Sequence, residues 1–163
     1  MDVFKVHILG SGSALPTVNR NLSSQLIEAG GQLYLIDCGE GTQIQLRRNK
    51  HKIQRIHRIF ISHLHGDHYY GLIGLLSTMN MLGRSTVLHI HCPPQLESLL
   101  ALMLKVSDSK FRYEMVFHHL NFKSGEILFE NNKLIIQAIK LNHRVPCSGF
   151  VFKEKKGLRK LKI

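Results

Sequence analysis

Four side chains able to bind a metal ion fall within six consecutive positions, in the segment Ile61-Ser-His63-Leu-His65-Gly-Asp67-His68. Imidazole nitrogens together with a carboxylate suit zinc and related divalent ions, which act on substrates as Lewis acids. If the chain stays extended here, His63 and His65 project to the same side by the two-residue period of a strand, and both reach one ion. Gly66 allows the backbone to turn sharply, after which Asp67 and His68 address a second position. Two neighbouring half-sites are therefore expected. Chance clustering is a weak explanation for this order, even in a chain with 11 histidines. Isolated histidines such as His7, His57, His89 and His118 are read as ordinary side chains.

The surroundings of this segment are strongly basic. The 163 residues carry 22 Lys and Arg against 11 Asp and Glu, a formal net charge of +11. No acidic residue occurs between Gly41 and Gly66, while Arg47, Arg48, Lys50, Lys52, Arg55 and Arg58 crowd that stretch. A second cluster, Lys153, Lys155, Lys156, Arg159, Lys160 and Lys162, ends the chain. Two such clusters in a small domain point to a polyanionic partner, nucleic acid before all others. Hydrophobic residues make up 44% of the chain, enough to bury a core and to exclude a disordered tail. The three cysteines, Cys38, Cys92 and Cys147, are widely spaced, which argues against a disulfide framework or a thiolate zinc site. With no apolar leader in Met1–Gly12 and no run approaching the ~18 apolar residues of a membrane span, a cytoplasmic protein with no membrane partner is expected.

The elements that must carry the histidines follow from patterning. Val3–Leu9 alternates as a strand and ends at the glycine-rich turn Gly10-Ser-Gly12. Leu22–Ala29 and Gln32–Cys38 flank Gly30-Gly31, a hairpin signal, so the fold is expected to begin antiparallel. Glu40–Asn49 is helical, and Ile56–Ser62 is a strand that leads straight into the histidines. Tyr69–Leu82, rich in Leu and Met, is expected to be one helix packed on a sheet. A strand at Val87–Cys92 precedes a helix at Gln95–Val106 opened by Pro93-Pro94, and further strands are expected at Glu114–Leu120, Glu126–Phe129, Lys133–Leu141 and Phe150–Lys153. The pattern predicts an α/β fold, a mixed sheet covered by helices.

The HxHxDH run at residues 63–68 resembles the signature of the metallo-β-lactamase fold superfamily. More narrowly, Gly10-Ser-Gly-Ser-Ala-Leu-Pro16, Ile36-Asp-Cys-Gly-Glu-Gly-Thr-Gln43, Phe60-Ile-Ser-His-Leu-His-Gly-Asp-His68 and Leu141-Asn-His143-Arg-Val-Pro146 are similar to segments of ribonuclease Z, the tRNA 3′-processing endoribonuclease. That resemblance implies an αββα sandwich and a centre of two zinc ions. His63, His65 and His143 would hold one ion, Asp67 and His68 would help to hold the other, and Asp67 would also accept a proton. It implies cleavage of precursor tRNA to leave a 3′-OH on the tRNA and a 5′-phosphate on the trailer, by an enzyme that is commonly a homodimer. The family's loop that senses the tRNA 3′ end is matched at Pro16, Arg20 and Asn21, with Val18 where the family has lysine, and Arg47 and Arg48 are expected to meet phosphates.

The family also needs an aspartate bridging both metals and a last histidine, both downstream of the His143 position. After His143 the sequence has neither His nor Asp. Residues 1–163 are therefore expected to form the N-terminal portion of a single metallo-β-lactamase-like domain, with one or no zinc well held and no activity alone. Two other readings use the same residues: a metallo-hydrolase of a small phosphodiester or thioester, and a non-catalytic RNA-binding half-domain.

Overall fold

The computed structural model describes residues 4–155, so Val3 and the basic residues Lys156, Arg159, Lys160 and Lys162 lie outside the described residues. Strands β1 (Lys5–Gly10), β2 (Ser24–Ala29) and β3 (Gln32–Ile36) form an antiparallel meander. Gly30 and Gly31, with φ of 57° and 79°, make the tight turn between β2 and β3. Both central residues of such a turn lie at positive φ, which glycine adopts without steric cost. After helix α1 (Thr42–Arg48), strands β4 (Ile56–Phe60), β5 (Leu88–Cys92) and β6 (Met115–His119) add in parallel to β3. The six strands lie in the order β1-β2-β3-β4-β5-β6.

Helices α2 (Gly66–Tyr69), α3 (Leu72–Met81) and α4 (Pro94–Val106) connect the parallel strands, and Pro94 occupies the first turn of α4. The second sheet is the antiparallel ribbon β7 (Ile127–Glu130), β8 (Leu134–Leu141) and β9 (Cys147–Glu154). The period of two divides the large sheet between two cores. On β3, on β4 and just after it, Leu33, Leu35, Ile59 and Ile61 join Leu72, Leu75, Leu76, Met79, Leu96 and Leu100 of the helices. Tyr34 and Phe60, on the opposite face, join Ile136 and Leu134 of the second sheet. The result is helix, sheet and sheet in sequence. The inter-sheet layer thins at β1, where Val6 and Ile8 are 52% and 61% exposed.

Most expected elements are present, with three differences. The helix expected over Tyr69–Leu82 is two helices. Gly71 N–H donates to the Cys38 carbonyl at 2.9 Å, across to the end of β3, instead of back along its own helix. Met81 and Leu82, at the end of the same stretch, are 77% and 57% exposed and do not serve as core. Strand β9 also starts earlier than expected, at Cys147, because Cys147 and Ser148 pair with Leu141 and Lys140 of β8, and Ser148 N–H donates to the Ser62 carbonyl at 3.1 Å, which joins the two sheets beside the histidines. The three cysteines are free and buried. Burial pushes the Cys38 thiol up to about 12, which leaves it without nucleophilic character at neutral pH.

Candidate metal centre

The site lies beyond the carboxyl ends of the parallel strands β3 and β4, where open α/β sheets commonly bind ligands. From the end of β4 the chain continues through Ile61 and Ser62 to His63, which is only 4% exposed. His65, still extended at φ −85° and ψ 141°, precedes α2. His143 arrives from the connection between β8 and β9. Three ring nitrogens converge: His63 Nε2 to His65 Nδ1 at 3.1 Å, His143 Nε2 to His63 Nε2 at 3.3 Å, and His143 Nε2 to His65 Nδ1 at 3.2 Å.

That triangle tests the fit of a metal. Tetrahedral zinc with Zn–N of about 2.0–2.1 Å places its ligand nitrogens roughly 3.3–3.4 Å apart. The observed separations come within a few tenths of an ångström, and no other group of three such donors lies this close among the described residues. Metal ligation also needs neutral rings. Burial, and then the positive charge of His68, push the His63 imidazole down to about 4, so it is unprotonated at pH 7. Asp67 Oδ2 and His68 Nε2 lie 3.5 Å apart and offer two donors for a second ion. Two donors do not complete a site, so the described residues fit one metal fully and a second only in part.

Behind these donors stands Asp37, to which the sequence reading assigned no role. It is 4% exposed and has φ of 55°, a left-handed conformation at the end of β3. Its Oδ1 accepts the Ser62 N–H at 2.8 Å, and its Oδ2 accepts from Ser62 Oγ at 3.0 Å and from His68 Nδ1 at 2.6 Å. Ser62 Oγ in turn lies 2.9 Å from His63 Nδ1. One buried carboxylate thus orients a ring at each half-site and leaves His63 Nε2 and His68 Nε2 facing the metal positions, the usual work of a carboxylate behind metal-bound histidines. Burial opposes a charge on His68, but the hydrogen bond and charge of Asp37, aided by Asp67, raise its pKa overall. For Asp67, burial works upward, while the Ala14 N–H, donating to Oδ2 at 2.9 Å, and the His68 charge outweigh it and lower the pKa.

Of the other expected site residues, Pro16 lines a cleft of about 730 Å3 with Glu40, Asp67 and His68. Asn21 ties its loop to the turn after β1 by accepting the Gly12 N–H at its backbone carbonyl, at 2.8 Å. Arg20 is exposed in that loop, and Arg47 and Arg48 are exposed at the end of α1, away from the clefts around the histidines. Arg58 is no surface cation. Its guanidinium stacks 4.0 Å from the Phe129 ring centroid between the sheets and donates to His91 at 3.2 Å.

The fold and the three-imidazole cluster define a metallo-β-lactamase-fold protein. Structural likeness agrees: the metallo-β-lactamase fold protein YhfI of Bacillus subtilis superposes with TM-score 0.69 at 21% identity, over 92% of this chain and 58% of that one. The family model described as "Anti-Pycsar protein Apyc1" matches residues 4–158, and the chain belongs to that family. A curated relative from Bacteroides fragilis, named Ribonuclease Z, is 46% identical over 155 residues, which is 95% of this chain and 51% of the relative. The crystal structure of human tRNase Z, short form, matches with TM-score 0.83 and 32% identity over 91% of this chain and 64% of that chain. The resemblance to ribonuclease Z seen in the motifs holds. The chain spans about half the length of the curated relatives it matches. Among the described residues no helix is long and apolar enough to cross a membrane.

Proposed function

We propose that these residues form the metal-binding part of a zinc-dependent endoribonuclease that removes the 3′ trailer from precursor tRNA, leaving a 3′-OH on the tRNA and a 5′-phosphate on the trailer. The observation that carries this reading is the triangle of imidazole nitrogens at 3.1–3.3 Å in a chain whose curated relatives are named Ribonuclease Z. His63, His65 and His143 hold the first zinc, and Asp67 with His68 supplies part of a second site. Its remaining donors would come from outside the described residues, in keeping with relatives about twice as long. Bound zinc would supply Lewis-acid stabilisation of charge on the phosphoryl oxygens.

The chain's own groups do the rest. Asp37 and Ser62 fix the imidazoles, so no reorientation is needed as charge develops. Asp67, anchored through Oδ2 to the Ala14 N–H, accepts a proton from the attacking water. The exposed Arg47, Arg48, Lys50, Lys52 and Arg55 hold RNA phosphates, which position the substrate without reading its sequence. Buried free cysteines support a reducing, cytoplasmic setting. The exposed Tyr70, Met103 and Val106 support the pairing of two copies as a homodimer.

The test has two parts. The chain should bind one equivalent of zinc and lose it in His143→Ala. In a chain extended to the relatives' length, Asp67→Ala should abolish cleavage of precursor tRNA while tRNA still binds. Zinc retained at full affinity by His143→Ala, or cutting by the Asp67→Ala protein, would overturn the assignment. The second reading, a small phosphodiester as substrate, draws on a matched family model whose description differs from the relatives' name. Rapid turnover of a small phosphodiester without tRNA cleavage would favour it.

A further inference from the structure

The histidine cluster opens on two sides that differ in charge. The cleft toward Asp67 holds the carboxylates of Glu40 and Asp67 against one cation, Arg144, which borders both sides. The groove on the other side, about 960 Å3 and bordered by His143, is lined by Lys123, Lys140 and Arg144 and by no carboxylate. Among the described residues none of these three cations has an ion-pair partner. Uncompensated cations in one concavity raise the local concentration of anions well above that at a flat surface.

Phe122 lines the same groove. Its φ of 57° places a bulky aromatic in the left-handed region, which such side chains seldom occupy. Its surroundings hold it there. Leu120 N–H donates to Cys92 at 2.9 Å just before it, Lys123 N–H donates to Asn121 Oδ1 at 2.9 Å just after it, and Ser124 Oγ accepts the Lys140 N–H at 2.9 Å. Phe122 also borders Leu64 and Val145, neighbours in sequence of His63, His65 and His143. An aromatic face beside unpaired cations is how proteins hold single-stranded nucleic acid, since every base can stack and every phosphate is an anion. A duplex keeps its base faces stacked inside and offers none to Phe122.

We propose that this groove binds single-stranded RNA adjoining the phosphate presented to the histidines, with a base stacked on Phe122 and phosphates on Lys123, Lys140 and Arg144. The proposal rests on reading the histidine cluster as a centre that cleaves RNA.

Fluorescence anisotropy tests it, with a short labelled single-stranded RNA and a blunt RNA duplex as probes in chelator-containing buffer. The 163-residue chain binds the single strand in preference to the duplex. Phe122→Leu weakens that binding roughly 5- to 150-fold, and Phe122→Trp restores it. Lys123→Gln/Lys140→Gln lowers the slope of log K against log salt by about 1.4, at about 0.7 per phosphate contact on a single strand. Both lysines are exposed, so this double variant keeps the test decisive even where a Phe122 substitution disturbs the fold. Unchanged affinity and salt slope in these variants, or tighter binding of the duplex, overturns the groove. His63→Ala/His65→Ala separates the two readings. Phe122-dependent RNA binding in a protein that holds no metal in either form sinks the metal centre and leaves the groove, whereas metal binding without Phe122-dependent RNA binding sinks the groove alone.

Discussion

Asp37→Asn is the perturbation that most directly probes how this fold builds its site. The carboxylate accepts three short hydrogen bonds, at 2.8 Å from Ser62 N–H, 3.0 Å from Ser62 Oγ and 2.6 Å from His68 Nδ1, and a longer one at 3.5 Å from Ser23 Oγ. Asparagine keeps the carbonyl oxygen for Ser62 N–H but sets an amide donor against the serine hydroxyl and the His68 ring. Two charge-assisted bonds are lost, at about 1.5–3 kcal/mol each, partly offset by the lower desolvation cost of a neutral amide. The expected net destabilisation of the metal-free chain is ~2–3 kcal/mol. A donor facing His68 Nδ1 also moves the ring proton to Nε2, the nitrogen that should face a metal. Since partners behind metal ligands typically matter by 10- to 100-fold, zinc affinity should fall by about that factor. Urea denaturation in the presence of a chelator measures the first effect, and competition against a chelating dye measures the second. A variant within about 0.5 kcal/mol of the parent in stability, with zinc affinity inside a factor of two, would refute the role given to Asp37.

Gly71→Ala should cost about 1–3 kcal/mol, because the added Cβ would lie 2.2 Å from the Gly39 carbonyl oxygen and 3.0 Å from that of Cys38, neither of which is a flexible side-chain end. Equal urea midpoints for parent and variant would show that this close approach is not constraining. His91 gives a pH signature. Burial, then the charges of His118 and Arg58, hold its pKa down to about 2. The unfolded chain takes up a proton near pH 6.5 that the folded chain refuses, so this contribution to stability is present above pH 6.5 and is lost as pH falls. Between pH 6.5 and 4.5 the loss should approach ~2–3 kcal/mol. His91→Gln retains an acceptor for Arg58 and should reduce the acid slope by this one-proton contribution, leaving the parts due to His63 and His89, whose pKa values are each pushed down to about 4, and a variant with unchanged acid sensitivity would contradict it.

Local patterning was enough for the parts that depend only on neighbours in sequence. The Gly30-Gly31 hairpin, the Pro94 start of α4 and the alternation of β3 and β4 are set by backbone sterics and by the two-residue period, and all are present. The HxHxDH spacing by itself sets His63 and His65 on one side of an extended segment. It missed Asp37, although an aspartate ending an apolar strand, one of only four in the chain at positions 2, 37, 67 and 108, was a visible signal. A role 25 positions from Ser62 and 31 from His68 exists only once β3 and β4 lie side by side. The helix break at Gly71 and the burial of Arg58 have the same origin, a hydrogen bond to Cys38 in one case and the Phe129 ring in the other. The sequence by itself determined which side chains could bind a metal and which strand delivers them. Whether their nitrogens meet at 3.1–3.3 Å, with His143 joining from 80 residues away, was decided by the packing of the second sheet on the first, because only that contact brings the β8–β9 connection to the end of β4.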